Sequence, residues 1–286
     1  MILAAALAAA AACTLPAGWD AVEAKRPRLV VLGEVHGTAE APALTGAIAC
    51  ALVKQRKRLL VALEQNAGDD AALQAAWRGD PAAFAAALPQ ALRWRGRQDG
   101  MASSAMYALL IRLHALRRAG HIIDVVAFSG PIDAAQDARF RHLPGQGGGE
   151  AIKAENITRA ANAKPYDRIL VLVGNLHAMK QPVGKGGRAF QPMTMRMPRR
   201  RLLSLVLMNG PGAMWNCVEQ KGRADEVECG AHPTTGMGGL ERLRAPAVVL
   251  GVPPSIPAPQ FPYDGYIWIG PVTASPPATP GSWRPS

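Results

Sequence analysis

The chain reads as an α/β protein, a largely parallel sheet flanked by helices with an irregular C-terminal extension. Three observations predict this class. Apolar runs at residues 28–32, 59–63, 122–128 and 168–173 are continuous rather than alternating, which marks strands buried on both faces. Helix-like stretches separate these runs, giving β-α-β units with right-handed crossovers. The length of 286 residues, with 49% hydrophobic side chains, supports one large core.

The elements follow in order. Residues 28–32 form the first strand. Leu44, Ala47, Ile48 and Ala51 then recur at helical spacing and predict a helix over residues 40–54. Residues 59–63 are the second strand. The Ala-rich stretch 70–88 breaks at Gly79-Asp80-Pro81 into two short helices, with Asp80 as the cap and Pro81 in the first turn. Met106, Leu109, Leu110, Leu113 and Leu116 define a helix over 102–118 that stops at Gly120. A third strand at 122–128, a helix at 150–163, a fourth strand at 168–173 and a fifth at 202–208 complete the pattern. Beyond Met208 the helical signal fades, and proline becomes dense from 253 to 285. One domain over residues 21–270 accounts for these elements, with a leader at 1–20 and a Pro-rich tail at 271–286.

The leader carries no polar or charged side chain in residues 1–12, and nothing is charged before Asp20. Such a stretch fits the apolar region of a secretory signal, and its alanines offer small-residue cleavage points. Ala10-Ala11-Ala12-Cys13 also resembles a bacterial lipobox, in which Cys13 would carry lipid. Simple cleavage and lipid anchoring both imply export, to the periplasm or the envelope membrane. Cys50, on a helix-like stretch, reads as a buried small hydrophobe. Cys217 and Cys229 flank a polar turn at 221–225, where a hairpin brings them within reach of a disulfide in an oxidising compartment. The absence of a Cys-x-x-Cys pair argues against a thiolate zinc site.

The formal charge is +11, and basic residues cluster at 54–58 and 196–201. These runs read either as solvated faces or as attraction to an anionic membrane surface or anionic substrate. Aromatic content of 5%, with no stacking motif among the basic runs, argues against nucleic acid. No internal segment reaches the roughly 18–20 apolar residues of a membrane helix. The glycine runs at 145–149 and 184–187 lack a P-loop ending and read as mobile loops.

Function is concentrated in two phrases. Gly33-Glu34-Val35-His36-Gly37 and Gly174-Asn175-Leu176-His177 each close an apolar run, and the run at 59–63 ends on Glu64. In an open parallel sheet these C-terminal strand ends share one edge, where such folds place their ligand crevice. Glu34, His36, Glu64 and His177 therefore meet. Two imidazoles and two carboxylates have three uses: metal-free acid–base chemistry, a divalent metal site holding zinc or manganese, or axial ligation of haem iron. His114 falls within a helix, His121 after a helix stop, and His142 and His232 in loops; all four read as structural.

The stretch Leu32-Gly33-Glu34-Val35-His36-Gly37-Thr38-Ala39-Glu40, the strand ending on Glu64 and the phrase Val171-Leu172-Val173-Gly174-Asn175-Leu176-His177-Ala178 resemble the superfamily uniting ChaN-like haem-binding lipoproteins, erythromycin-esterase-like hydrolases and the Tiki/TraB proteins. The helix around Ala151-Ile152-Lys153-Ala154-Glu155-Asn156-Ile157 and the ending Tyr263-Asp264-Gly265-Tyr266-Ile267-Trp268-Ile269 match it too. The resemblance to Tiki-type metalloproteases implies His36 and His177 as metal ligands with Glu64 as the acidic partner. The esterase branch implies Glu34, His36, Glu64 and His177, although Glu34 and His36 stand one residue apart rather than that branch's two. The ChaN branch holds haem with help from a tyrosine, and no motif selects among Tyr107, Tyr166, Tyr263 and Tyr266. The reading that follows is an exported hydrolase acting on a small molecule or peptide. His36 is its general base or first metal ligand, Glu64 and Glu34 orient that histidine or bind metal, and His177 polarises the substrate or completes the site. A catalytic His36 would then be expendable for stability. The alternative is a haem- or metal-binding envelope protein without catalysis.

Overall fold

The computed structural model describes residues 13–220, 223–236 and 238–279, with side chains except at 220 and 223–226. In chain order the elements are α1 (Trp19–Ala24), β1 (Leu29–Glu34), α2 (Glu40–Lys54), β2 (Leu59–Asn66), α3 (Asp70–Trp77), α4 (Pro81–Ala91), α5 (Ser104–Arg118), β3 (Ile123–Ser129), α6 (Ala134–Phe140), α7 (Gly147–Ala163), β4 (Arg168–Gly174), α8 (Met193–Arg196), β5 (Leu202–Gln220), β6 (Arg223–Thr234), β7 (Ala247–Leu250) and β8 (Gly265–Val272).

The strands form one mixed sheet in the order β3-β2-β4-β1-β5-β8-β7, with β6 paired to β5 outside that path. From β3 to β8 all neighbours are parallel, whereas β7 and β6 run antiparallel to their partners. Side chains alternate across each strand, so Val30, Leu32, Leu59, Val61, Leu63, Leu170 and Leu172 point to one face, under α2 to α5. Leu29, Val31, Leu60, Ala62, Ile169, Val171 and Val173 point to the other, under α7 and α8. Each of the Val, Leu and Ile side chains among them contributes about 1.5–3 kcal/mol by its burial. That is why the runs contain no polar alternation. Asp80 caps α4 by accepting from the Ala83 N–H, and Ser103 caps α5 by accepting from Met106.

The crossovers place β4 between β1 and β2 in the sheet. Three strands far apart in sequence thus end side by side at one edge.

Several expectations need correction. Cys50 is buried as a disulfide partner of Cys13, not as a free thiol. That bond uses the sulfur a lipid thioether would need. Residues 13–20 are not a detached leader: Ala17 donates to Pro246 O at 3.0 Å and accepts from Val248 N at 2.8 Å, and the Trp19 side chain is buried. The stretch 1–12, including most of the lipobox-like phrase, lies outside the described residues. The fifth strand does not stop at Met208 but continues as an arm that pairs with β6, where Cys217 opposes Cys229 and forms the expected disulfide. The turn residues 221 and 222 lie outside the described residues. His232 sits on β6 opposite Met214 rather than in a loop. The Pro-rich tail does not fray through 279: Ser275 is buried, and its N–H donates to Gly37 O at 2.8 Å. Helices α1, α6 and α8 and strand β7 were not anticipated, being only 6, 7, 4 and 4 residues long. Strand β6 is the return limb of the hairpin expected between Cys217 and Cys229.

The cross-link between Cys13 and α2 predicts that Cys50→Ser lowers unfolding free energy by about 2–4 kcal/mol under non-reducing conditions. Peptide mapping without reduction should recover Cys13 joined to Cys50; a lipid on Cys13 of the mature protein would overturn the pairing.

Candidate functional site

Glu34 closes β1, Glu64 lies near the end of β2, and Gly174 ends β4 just before the 3-10 turn Asn175–Ala178 that carries His177. The structure brings together all four residues expected from the sequence. His36 Nδ1 lies 3.0 Å from Glu34 Oε1, and its Nε2 lies 3.3 Å from Glu64 Oε2. His177 Nε2 lies 3.3 Å from Glu64 Oε1. The Gly174 N–H donates to Glu64 Oε2 at 2.8 Å. Glycine is needed there, because a Cβ at Gly174 would stand 3.0 Å from His36 Nε2.

Two further members come from α7. Glu150, fully buried, contacts His177 Nδ1 at 2.5 Å and accepts from the Met193 N–H at 2.8 Å. Lys153, one turn on, places Nζ 3.6 Å from Glu150 and 3.7 Å from Glu64. Sequence reasoning located this helix but not its role. The available signal was an acid and a base three residues apart, Glu150 and Lys153, which share one face of a helix.

The His36 turn is clamped from three sides. Gly37 O accepts from both Trp215 N, on the β5 arm, and Ser275 N, on the C-terminal segment. Gly37 has φ of 84°, and a Cβ there would meet Trp215 O at 1.9 Å, so this position is confined to glycine. Loop residue Gly100 presses on the same turn.

Electrostatics follow from burial and pairing. Burial disfavours a charged His36, but hydrogen bonding and charge from Glu34 and Glu64 outweigh it and push its pKa up to about 10. Burial likewise works to raise Glu64, but His36, His177 and Lys153 hold it down to about 2. At neutral pH His36 is therefore an imidazolium bridging two carboxylates. Removing His36 would leave two buried carboxylates face to face, so this ring is expected to contribute to stability rather than to be expendable.

A divalent metal needs imidazole lone pairs aimed at a common point. Here both ring nitrogens of His36 and both of His177 face carboxylates, and an ammonium stands among them. Among the described residues no group of three His, Cys, Asp or Glu side chains converges on a metal position. The donor set does not fit zinc or manganese in this arrangement. Axial haem ligation also needs a free ring nitrogen, and the Tyr263 hydroxyl donates to Asn175 O. An open cleft of about 500 Å³ starts at Glu64 and runs past Asn66, Asp69, Arg93, Arg97, Met101 and Ser129.

Fold and site together define an open α/β sheet protein with a carboxylate–imidazole crevice at its parallel strand ends. No family model matches the chain, and no curated protein matches it. Solved structures share the fold. A histidine variant of erythromycin esterase EreC in its open conformation superposes with a TM-score of 0.60 at 12% identity, over 89% of this chain and 94% of that one. A succinoglycan biosynthesis protein matches at 0.60 and 10%, over 93% and 94%. A protein from Bacillus cereus matches at 0.58 and 10%, over 95% and 96%. The superfamily resemblance carried by the motifs is thus met at the level of fold.

The bridging imidazolium makes stability depend on pH. Its pKa lies above the ordinary 6.5, so its contribution is complete below that value and lost as pH rises through about 10. Glu64 lies below its ordinary 4.5, so its contribution is present above that value and lost as pH falls towards about 2. The melting temperature should therefore peak between these ordinary values and fall by several degrees towards pH 10. In His36→Gln that alkaline slope should vanish and the neutral-pH melting temperature should drop; a flat wild-type profile would refute the bridge.

Proposed function

We propose that the chain is an exported hydrolase that activates water with two carboxylate–histidine units, Glu34–His36–Glu64 and Glu150–His177. The observation that carries this reading is the contact between buried Glu150 and His177 Nδ1. A buried carboxylate on Nδ1 fixes the ring's tautomer and stabilises the imidazolium formed when Nε2 accepts a proton. His177, not His36, is then the general base, and the roles assigned from sequence are exchanged. His36, already protonated, turns its Nε2–H from Glu64 to the substrate's carbonyl oxygen while the water oxygen bonds to the acyl carbon and its proton passes to His177; as the acyl–oxygen bond then breaks, the same Nε2–H is given to the departing oxygen. Glu64 touches Nε2 of both rings, so it is the route by which the proton gained by His177 returns to His36.

Support for a hydrolase also comes from the cleft at Glu64 and from a fold shared with an esterase. Support for export comes from two disulfides, which persist in oxidising compartments, and from the apolar residues 1–12. Cleavage would fall before Cys13, so that Cys50 keeps its partner.

Turnover of a panel of p-nitrophenyl esters tests the assignment. His177→Gln and Glu150→Gln should each lower kcat by about 10²–10⁴-fold. The wild-type rate should fall as pH rises through about 10, when His36 loses its proton. An alkaline limb unchanged in His36→Gln would return His36 to a structural role. No turnover, with a haemin Soret band that moves in the His177 variant, would replace catalysis with haem carriage.

A further inference from the structure

We propose that the N-terminal edge of the sheet, opposite the crevice, is a docking surface for an anionic lipid bilayer. The strand starts of β1, β2, β4 and β5 are tied together there: Arg28 N donates to Arg201 O, Ile169 N to Arg28 O, and Asp167 N to Arg58 O. Three basic runs separated in sequence, 25–28, 54–58 and 199–201, thereby share one edge. Some of their cations are committed within the fold, since Arg58 pairs with Asp167 and Arg28 donates to Ala161 O. Lys25, Arg26, Lys54, Arg56, Arg199 and Arg200 are exposed and in no ion pair among the described residues.

Backbone conformation is the second observation. Arg26, Arg56 and Arg201 have φ of 47°, 62° and 71°. This left-handed region favours glycine or asparagine. All three turns at this edge instead carry an arginine, against local preference, and all three side chains are exposed. The third observation is apolar. Ile122, whose carbonyl accepts from Leu59 N, is 59% exposed at the start of β3. An isoleucine set among cations suits the boundary between headgroups and acyl chains.

The fourth concerns where the chain joins the domain. Cys13 is bonded to Cys50, one helical turn before Lys54. The point at which the apolar segment joins the domain, and which becomes the Cys13 α-amine once that segment is cleaved, therefore lies beside this same edge. A bilayer fits better than nucleic acid, because the exposed residues of these runs include no aromatic side chain for base stacking. Docked this way, the protein turns its crevice away from the lipid.

Co-sedimentation of the full chain with vesicles tests the surface, comparing phosphatidylcholine alone with mixtures containing phosphatidylglycerol at low and high salt. The variant Arg26→Gly/Arg56→Gly/Arg201→Gly removes three cations and relieves three left-handed residues while losing the exposed bond from Arg201 Nε to Arg26 O, so its melting temperature should change little. Its partition onto anionic vesicles should fall at least about tenfold, since each surface cation near a charged leaflet contributes up to about fivefold. High salt should release the wild type in the same way. A second variant, Lys54→Gln/Arg199→Gln/Arg200→Gln, should show the same loss by a route that leaves the three left-handed turns untouched. Binding equal on neutral and anionic vesicles, binding unmoved in both variants, or preference for a DNA duplex over vesicles would each overturn the proposal.

Discussion

Everything at the crevice depends on keeping one carboxylate ionised where water hardly reaches. Glu64 is buried, and a buried charge persists only when it is paired and hydrogen-bonded. Its partners are the Gly174 N–H, the rings of His36 and His177, and the Lys153 ammonium. They come from β4, from the turn after β1, from the turn after β4, and from α7. No local piece of chain supplies them. The strand order that sets β4 between β1 and β2, and the helix laid across their ends, is therefore the arrangement in which Glu64 can exist as an anion. Topology and chemistry share one solution.

The sheet also separates two clusters along its strands. Buried Glu34, Glu64 and Glu150 gather around the two imidazoles at the C-terminal ends, while three basic runs gather at the N-terminal ends and outnumber Asp124, Asp167 and Asp264 there. The buried strands hold the two clusters apart by their own length.

Much of this was legible in the sequence because the strands are buried on both faces, so Val, Ile and Leu runs stand out without alternation. The second helix was read to its observed limits, Glu40–Lys54, since its apolar residues repeat at helical spacing. Glu34, His36, Glu64 and His177 were found for the same reason: each sits where an apolar run gives out. Glu150 was missed because it begins a helix, where an acidic residue is ordinarily explained by the helix dipole. Only its distance from His177 in space shows that it belongs to the cluster. The β5–β6 arm was read only as a short hairpin around 221–225, because its outer half is polar and exposed, and the Cys13–Cys50 bond was missed because pairing across tertiary structure leaves no trace in spacing. That Glu34 and Glu64 both orient His36 was read from the sequence, but the charge this double pairing places on the ring follows only from the distances.

The clamp on Gly37 carries an implication for how the protein comes into being. The His36 turn is made early in synthesis, yet one of the two N–H groups that hold Gly37 O belongs to Ser275, 238 residues after Gly37. Until that segment has left the ribosome, the turn lacks its outer support. Completion of the crevice is thus ordered in time: a nascent chain can have its central strands before the turn beside them is held.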